Sequence, residues 1–239
     1  MSEIGSVGER QLQQRHGTAD RAARFYADQV LDHLNLAMIE FVGRQEMTFV
    51  ATADASGECD NSLRAGAPGF IHVIDSTTLA YPEYRGNGVM ASLGNILENP
   101  HVGLILVDFV HDLIGLHVNG AARLVEDADL RSEVVGLPVG GSNGRTPECW
   151  VVVDVDEAYI HCRKHIPRMA RVPHHRDWGT DDVKRKAGDY FDAKDTTRLD
   201  AQSVGAELTQ PIKSGFSAVL DSRADSGGTM NPDTSSALT

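Results

Sequence analysis

No stretch of this sequence approaches the roughly 18 consecutive apolar residues that a membrane-spanning helix requires, which excludes a helical membrane protein. The opening residues, MSEIGSVGERQLQQ, offer no basic start followed by an apolar run, so no secretory signal is expected. Cysteine is scarce. Cys59, Cys149 and Cys162 are odd in number and widely spaced, which argues against a disulfide framework and for a reducing, cytoplasmic setting. Positive charge is in deficit, with 22 Lys and Arg against 34 Asp and Glu and a formal net charge of −12. A phosphate backbone is repelled by such a surface, so no nucleic-acid partner is expected. An anion would need a local basic pocket. There is no paired CxxC or HExxH spacing, no Ser-His-Asp order, no spacing of paired carboxylates and no internal repeat.

What is present is ordinary for a soluble globular chain: 41% hydrophobic and 23% charged residues over 239 positions. That length suits one domain with extensions, or at most two small domains. From Ala19 to Val42 the apolar positions Ala23, Ala27, Val30, Leu34, Ala37, Met38 and Phe41 recur every three or four residues. This spacing predicts one amphipathic helix with Thr18 as its N-cap. Met47–Ala53 is strand-like, and Asp54-Ala55-Ser56-Gly57 is a turn from which residues 58–64 return as a hairpin arm. Phe70–Ile74 and Thr78–Tyr81 read as two further short strands. The segment Pro82–Gly88 is irregular, and VMASLGNILEN reads as a short helix stopped at Asn99-Pro100.

Val102–Val107 is continuously apolar and predicts a strand buried on both faces. Ile114 to Leu124 alternates as a half-buried strand, residues 127–136 suit a short helix, and Trp150–Ile160 is the last clear strand. Six or seven short strands at tight spacing predict a mainly β, antiparallel barrel rather than a βαβ array. Residues 1–17 are expected to be flexible, 18–190 to form the domain with a basic C-terminal extension, and 191–239 to be a disordered tail. The last twenty residues, LDSRADSGGTMNPDTSSALT, contain little to bury. Residues 163–186 form a basic island of eight Arg or Lys against three Asp.

The chemistry concentrates between residues 61 and 100. Arg64 stands among small residues in NSLRAGAPGF, where a guanidinium can hold a phosphate through two parallel bonds. Tyr84-Arg85-Gly86-Asn87-Gly88 sets a second guanidinium and backbone N–H groups ahead of a helix start, and Ser92 adds a hydroxyl. Two basic side chains on separate segments can make a monophosphate pocket. Equally, Arg64 can be a solvated or ion-paired strand residue and YRGNG a glycine-rich connection. His161-Cys162-Arg163-Lys164-His165 is open in the same way. Lys164 can meet a cofactor or substrate anion and Cys162 can be a redox thiol, or the segment is a strand end with solvated charges. A zinc site from Cys162 and His165 with His174 or His175 lacks a recognised spacing. The basic island can be a solvated surface or electrostatic guidance for a phosphate.

The run SLRAGAPGFIHVIDSTTLAYPEYRGNGVMASLGNILENPHVGLILVDF, followed by LHVNGAARLVE, resembles the pyridoxamine 5′-phosphate oxidase-like family, over roughly residues 20–190. The segments AYIHCRKHIPRM and WGTDD resemble a bacterial subgroup of it. The resemblance implies an FMN-binding split β-barrel with Greek-key strands, an N-terminal helix and short peripheral helices. It implies an FMN-dependent oxidoreductase acting on a small organic substrate, with NAD(P)H as a possible donor, in a homodimer holding the flavin between subunits. Arg64 then matches the strand arginine of the FMN phosphate, and Ala65, Gly66 and Ala67 border the flavin ring. Tyr81 and Pro82 lie beneath the cofactor, and Arg85, Asn87 and Ser92 form the second phosphate segment. Gly86-Asn87-Gly88 departs from the Ser-Arg-Lys of the authentic oxidases, and their C-terminal substrate-phosphate residues are not recognisable, which argues against vitamin B6 phosphate as substrate. Other implications are a non-catalytic flavin-binding protein, a reductase using the deazaflavin F420, and haem binding through His161 or His165.

Overall fold

The computed structural model describes residues 4–138, 145–173, 178–180, 182–191 and 193. Three helices come first: α1 (Val7–Arg15), α2 (Ala19–Gln29) and α3 (Leu36–Gly43). The single helix expected over 19–42 is therefore two. The break has a cause. Val30 is extended, and Leu31 exchanges two backbone hydrogen bonds with Ala158, at 3.0 and 2.7 Å. Asn35 then caps the next helix, its Oδ1 accepting the Met38 N–H at 3.0 Å. The first segment, expected to be flexible, contains α1, capped by Ser6 and burying none of its residues.

The strands are β1 (Met47–Ala53), β2 (Cys59–Ala65), β3 (His72–Asp75) and β4 (Thr78–Tyr84). After α4 (Ala91–Glu98) come β5 (His101–Val107) and β6 (Gly115–Val125), then α5 (Asp127–Glu133) and β7 (Pro147–His161). All seven join one antiparallel sheet in the order β2-β1-β5-β6-β7-β4-β3. The sequence-derived strand centres hold, though β4 and β7 run further than expected.

The order forces closure. β2 and β3 lie at opposite edges, and only residues 66–71 connect them. Six gaps of about 4.8 Å would set the edges of a flat sheet roughly 29 Å apart. Seven backbone steps reach at most about 25 Å fully extended, and this connection is not extended, since the Phe70 N–H turns back to the Ala67 carbonyl at 2.9 Å. The sheet must curl until its edges approach, which makes the fold a split barrel.

The interior holds Val50, Phe70, Ile71, Leu79, Tyr81, Leu104, Leu106, Leu116, Val118, Val151 and Val153. A smaller cluster of Ala80, Leu130, Leu137, Trp150 and Val152 lies on the other face of β4 and β7, under α5. Burial on both faces therefore falls on Trp150–Val153. The run Val102–Val107, expected to be doubly buried, instead alternates, with Gly103, Ile105 and Val107 half-buried. α5 packs on β7 and shares its buried cluster with Ala80 of β4. β6 bulges at Asn119/Gly120, where a Cβ on Gly120 would lie 2.1 Å from the Asp154 carbonyl oxygen. Only glycine fits that approach.

Residues to Lys186 form one compact unit, and those from Ala187 a second, whose described members are mostly turns and a bend. Nearly all of the expected tail, and His174 and His175 of the considered zinc site, lie outside the described residues. No described helix is long and apolar enough to cross a membrane, and no described cluster of three His, Cys, Asp or Glu could hold a metal.

Candidate functional site

The period of two in β2 turns Asp60, Ser62 and Arg64 to one face, half-buried, and Cys59, Asn61 and Leu63 to the other, exposed. The polar face looks toward α4 and the end of β4. Arg64 Nε donates to Glu83 Oε2 at 2.7 Å, and both side chains are nearly buried, at 17% and 16% exposure. This pair ties the edge strand β2 to β4 across the barrel seam. Ser62 and Ser92 Oγ donate to Asp60 Oδ2 at 2.8 and 2.7 Å, and the two hydroxyls lie 3.1 Å apart. Ser92 is in the first turn of α4 and is buried. Asn95, one turn on, donates to Thr52 Oγ1 of β1 at 3.0 Å. These contacts hold α4 against β1 and β2.

The electrostatics follow. The Ser92 and Ser62 hydroxyls, with Arg64 nearby, hold the Asp60 carboxyl below the usual carboxylate range. Burial pushes Glu83 up, and the Arg64 charge only partly opposes it. Tyr81 shares Glu83's face of β4. Burial pushes its phenol far up, and its buried Oη has no hydrogen-bond partner among the described residues. Cys149 of β7 is in register with Glu83, and burial raises its thiol to about 11.

Arg64, Ser92 and Tyr81 therefore gather where β2, α4 and β4 meet. The other expected positions divide. Ala65 ends β2 half-buried, and Ala67 is exposed. Gly66 is buried, and a Cβ there would lie 2.3 Å from Phe70 Cβ, so its glycine serves the fold-back of the chain. Pro82 faces away from Tyr81, in register with Trp150. Arg85 and Asn87 lie in the exposed loop before α4, where Asn87 Oδ1 accepts the Val89 N–H at 2.9 Å. Lys164 is exposed in a 3-10 turn, Arg163–His165, beyond the far end of β7 from Pro147, which pairs with Tyr84. No hydrogen bond or ion pair joins it to Arg64 among the described residues. Asp60, Ser62 and Glu83 were missed in the sequence. The signal available was polar residues at every second position of β2 through to Arg64.

A cleft of about 760 Å³ opens beside this site. Its walls include Arg44, Met47, Phe109, His111 and Met169–Pro173. The chain after β7 is strapped there by the Met169 N–H on the Phe109 carbonyl at 2.8 Å and by Arg171 on Glu46 at 2.9 Å. Met47 is in register with Ala65, and the Gly66 N–H donates to the Glu46 carbonyl at 2.9 Å, so the cleft begins where β2 ends.

On the sheet's other face, His117 Nε2 lies 3.0 Å from His161 Nδ1, and His117 stacks on Tyr159 with ring centroids 4.7 Å apart. Burial, and secondly the His161 charge, hold the His117 imidazole below its ordinary value. The unfolded chain then binds this proton more readily than the folded one, so its contribution is complete above about pH 6.5 and is lost as pH falls through the lowered folded value. Thermal midpoints are expected to drop between pH 7.5 and 5.5, and the drop should shrink in His117→Phe. An unchanged drop would assign it elsewhere, His72 being the other histidine lowered by burial among the described residues.

Residues 34–162 match the family model described as pyridoxamine 5′-phosphate oxidase. No curated protein matches the chain. Among solved structures, HupZ of Group A Streptococcus is 17% identical, covering 57% of this chain and 99% of its own, with a TM-score of 0.39. HutZ, the heme storage protein from Vibrio cholerae, is 17% identical over 54% of this chain and 94% of its own, at 0.38. General Stress Protein 26 from Bacillus anthracis is 16% identical over 56% and 95%, at 0.37.

Proposed function

The chain belongs to the pyridoxamine 5′-phosphate oxidase family, and from that premise we propose that it is an FMN-dependent oxidoreductase acting on a small organic molecule. The observation that carries the reading is Arg64, a nearly buried guanidinium at the seam of the barrel in a strongly acidic chain. Its Nε is held by Glu83 at 2.7 Å, and the outer N–H groups of a fork so placed suit a phosphate. The residues present fit FMN. Tyr81 Oη is a buried donor with no described acceptor, and a buried polar group left unpaired costs about 1–3 kcal/mol. Arg64, Ser92, Arg85 and Asn87 would hold the phosphate, with Ala65–Ala67 beside the ring system. FMN, when bound, supplies hydride and electron transfer.

The chain's part is to bind, orient and exclude water. Glu83 and Asp60 limit the charge the pocket accepts, and Cys149, held protonated by burial, stays neutral beside them. The cleft at Met47 and Phe109 would take the substrate or nicotinamide. We read the protein as a homodimer, with the cofactor held between the two copies. The exposed apolar residues Phe49 and Leu63, on the outer face of the sheet, favour the same reading.

The test is titration of the purified protein with FMN and with riboflavin, then reduction of the complex by NADH and NADPH. FMN is expected to bind at least tenfold tighter, with reduction followed by turnover of an electron acceptor. Tight binding without turnover would leave a flavin-binding protein and remove the oxidoreductase. An F420 or haem spectrum in the purified protein would remove FMN.

A further inference from the structure

Arg64 is already engaged. Its Nε is bonded to Glu83 at 2.7 Å, and its Nη1 makes a long 3.4 Å contact to its neighbour's carbonyl, Leu63 O. The groups facing Glu83 come from three strands. β2 brings Arg64 and, through it, Asp60; β4 brings Tyr81; β7 brings Glu148 and Cys149. α4 adds only the Ser92 hydroxyl nearby. Among these groups Arg64 is the sole cation. A phosphate carrying about −1.5 to −2 charges would therefore meet a carboxylate on the guanidinium it needs, with Asp60 close behind. Like charges at such a distance in a half-buried site repel strongly.

We propose that Glu83 is a built-in competitor for the ligand's anionic group at Arg64, and so the residue that sets how far the site prefers a phosphate-bearing flavin over a phosphate-free one. The inference rests on the FMN reading and deepens it. Seating the phosphate breaks the Arg64–Glu83 pair and forms a charge-assisted bond from the same guanidinium; no covalent bond changes. Glu83 sits two residues before Arg85, so the strand that carries the competitor leads directly into the second candidate phosphate segment. A neutral amide at position 83 would still accept a hydrogen bond from Arg64, but one about half as strong. The variant should thus keep the seam closed while yielding more readily.

Glu83→Gln is expected to tighten FMN about tenfold and to leave riboflavin unchanged, read by quenching of flavin fluorescence. Glu83→Asp, one methylene shorter, keeps the charge but draws it back from Arg64, and is expected to raise the FMN-to-riboflavin ratio by an intermediate factor. A ratio in both variants equal to or below that of the unaltered chain would overturn the proposal. If the Gln variant does not fold, the Asp variant decides alone. Failure here is distinct from failure of the FMN reading: the latter shows as equal loss of both flavins when Arg64 is removed.

Discussion

Arg64→Ala is expected to weaken FMN binding by about a hundredfold and riboflavin binding by less than about threefold. A hydrogen bond to a charged group contributes about 1.5–3 kcal/mol, and about 1.4 kcal/mol is a factor of ten. Loss of a forked contact to phosphate thus spans one to two decades. Riboflavin has no phosphate, so its affinity reports only the ring contacts. The variant also strands Glu83, which is 16% exposed and loses its only described cationic partner. Its carboxyl, already raised by burial, would rise further and take up a proton, which limits the damage to the fold. Arg64→Lys separates charge from geometry. It restores a point charge without the fork, so FMN affinity should fall between the two. Equal losses of FMN and riboflavin in Arg64→Ala would place the phosphate elsewhere and remove the assignment of the site.

The β content was legible because each strand carries its own local signal. MTFVATA is β-branched and bounded by a DASG turn, and LHVNGAARL alternates. The barrel was legible only through strand count and spacing, since closure depends on the order β2-β1-β5-β6-β7-β4-β3, which no local pattern encodes. The helix over 19–42 misread because periodicity cannot tell an apolar residue serving a helix face from one serving a sheet. Leu31 and Leu34 fit the helical period, yet Leu31 bridges Ala158, and the Leu34 N–H donates to the Ser76 carbonyl at 2.7 Å. The same ambiguity exchanged VGLILV for WVVV as the doubly buried strand, because which strand receives α5 is a tertiary matter. At the site, Arg64 was visible as a cation among small residues. Its partner was not, because Glu83 lies nineteen positions away on a strand that meets β2 only when the sheet curls. Asp60 and Ser62 were within reach of the strand period.

Removal of Trp150 is expected to give the largest stability loss among these variants, about 3–5 kcal/mol in Trp150→Ala by urea unfolding. Trp150 is fully buried, and its Nε1 donates to Asp127 Oδ1 at 2.7 Å. Arg131 Nε reaches both Asp127 oxygens at 2.9 Å, its Nη2 reaches the Pro138 carbonyl at 2.9 Å, and its guanidinium lies 5.9 Å from the indole. Arg131 would continue to satisfy Asp127 in the variant, so the loss comes mainly from the cavity. Trp150→Phe keeps most of the volume and gives up the N–H, and should cost about 1–2 kcal/mol. Trp150 is also in register with Pro82, on the side of β4 opposite Tyr81 and Glu83. A void behind that strand frees it to shift, and Arg64 is tied to that strand through Glu83. Trp150→Ala should therefore weaken FMN and riboflavin together, at temperatures where the variant is still folded, unlike the phosphate-selective loss from Arg64→Ala. An undiminished affinity in a destabilised Trp150→Ala would show that α5 and its cluster support the fold without positioning the site.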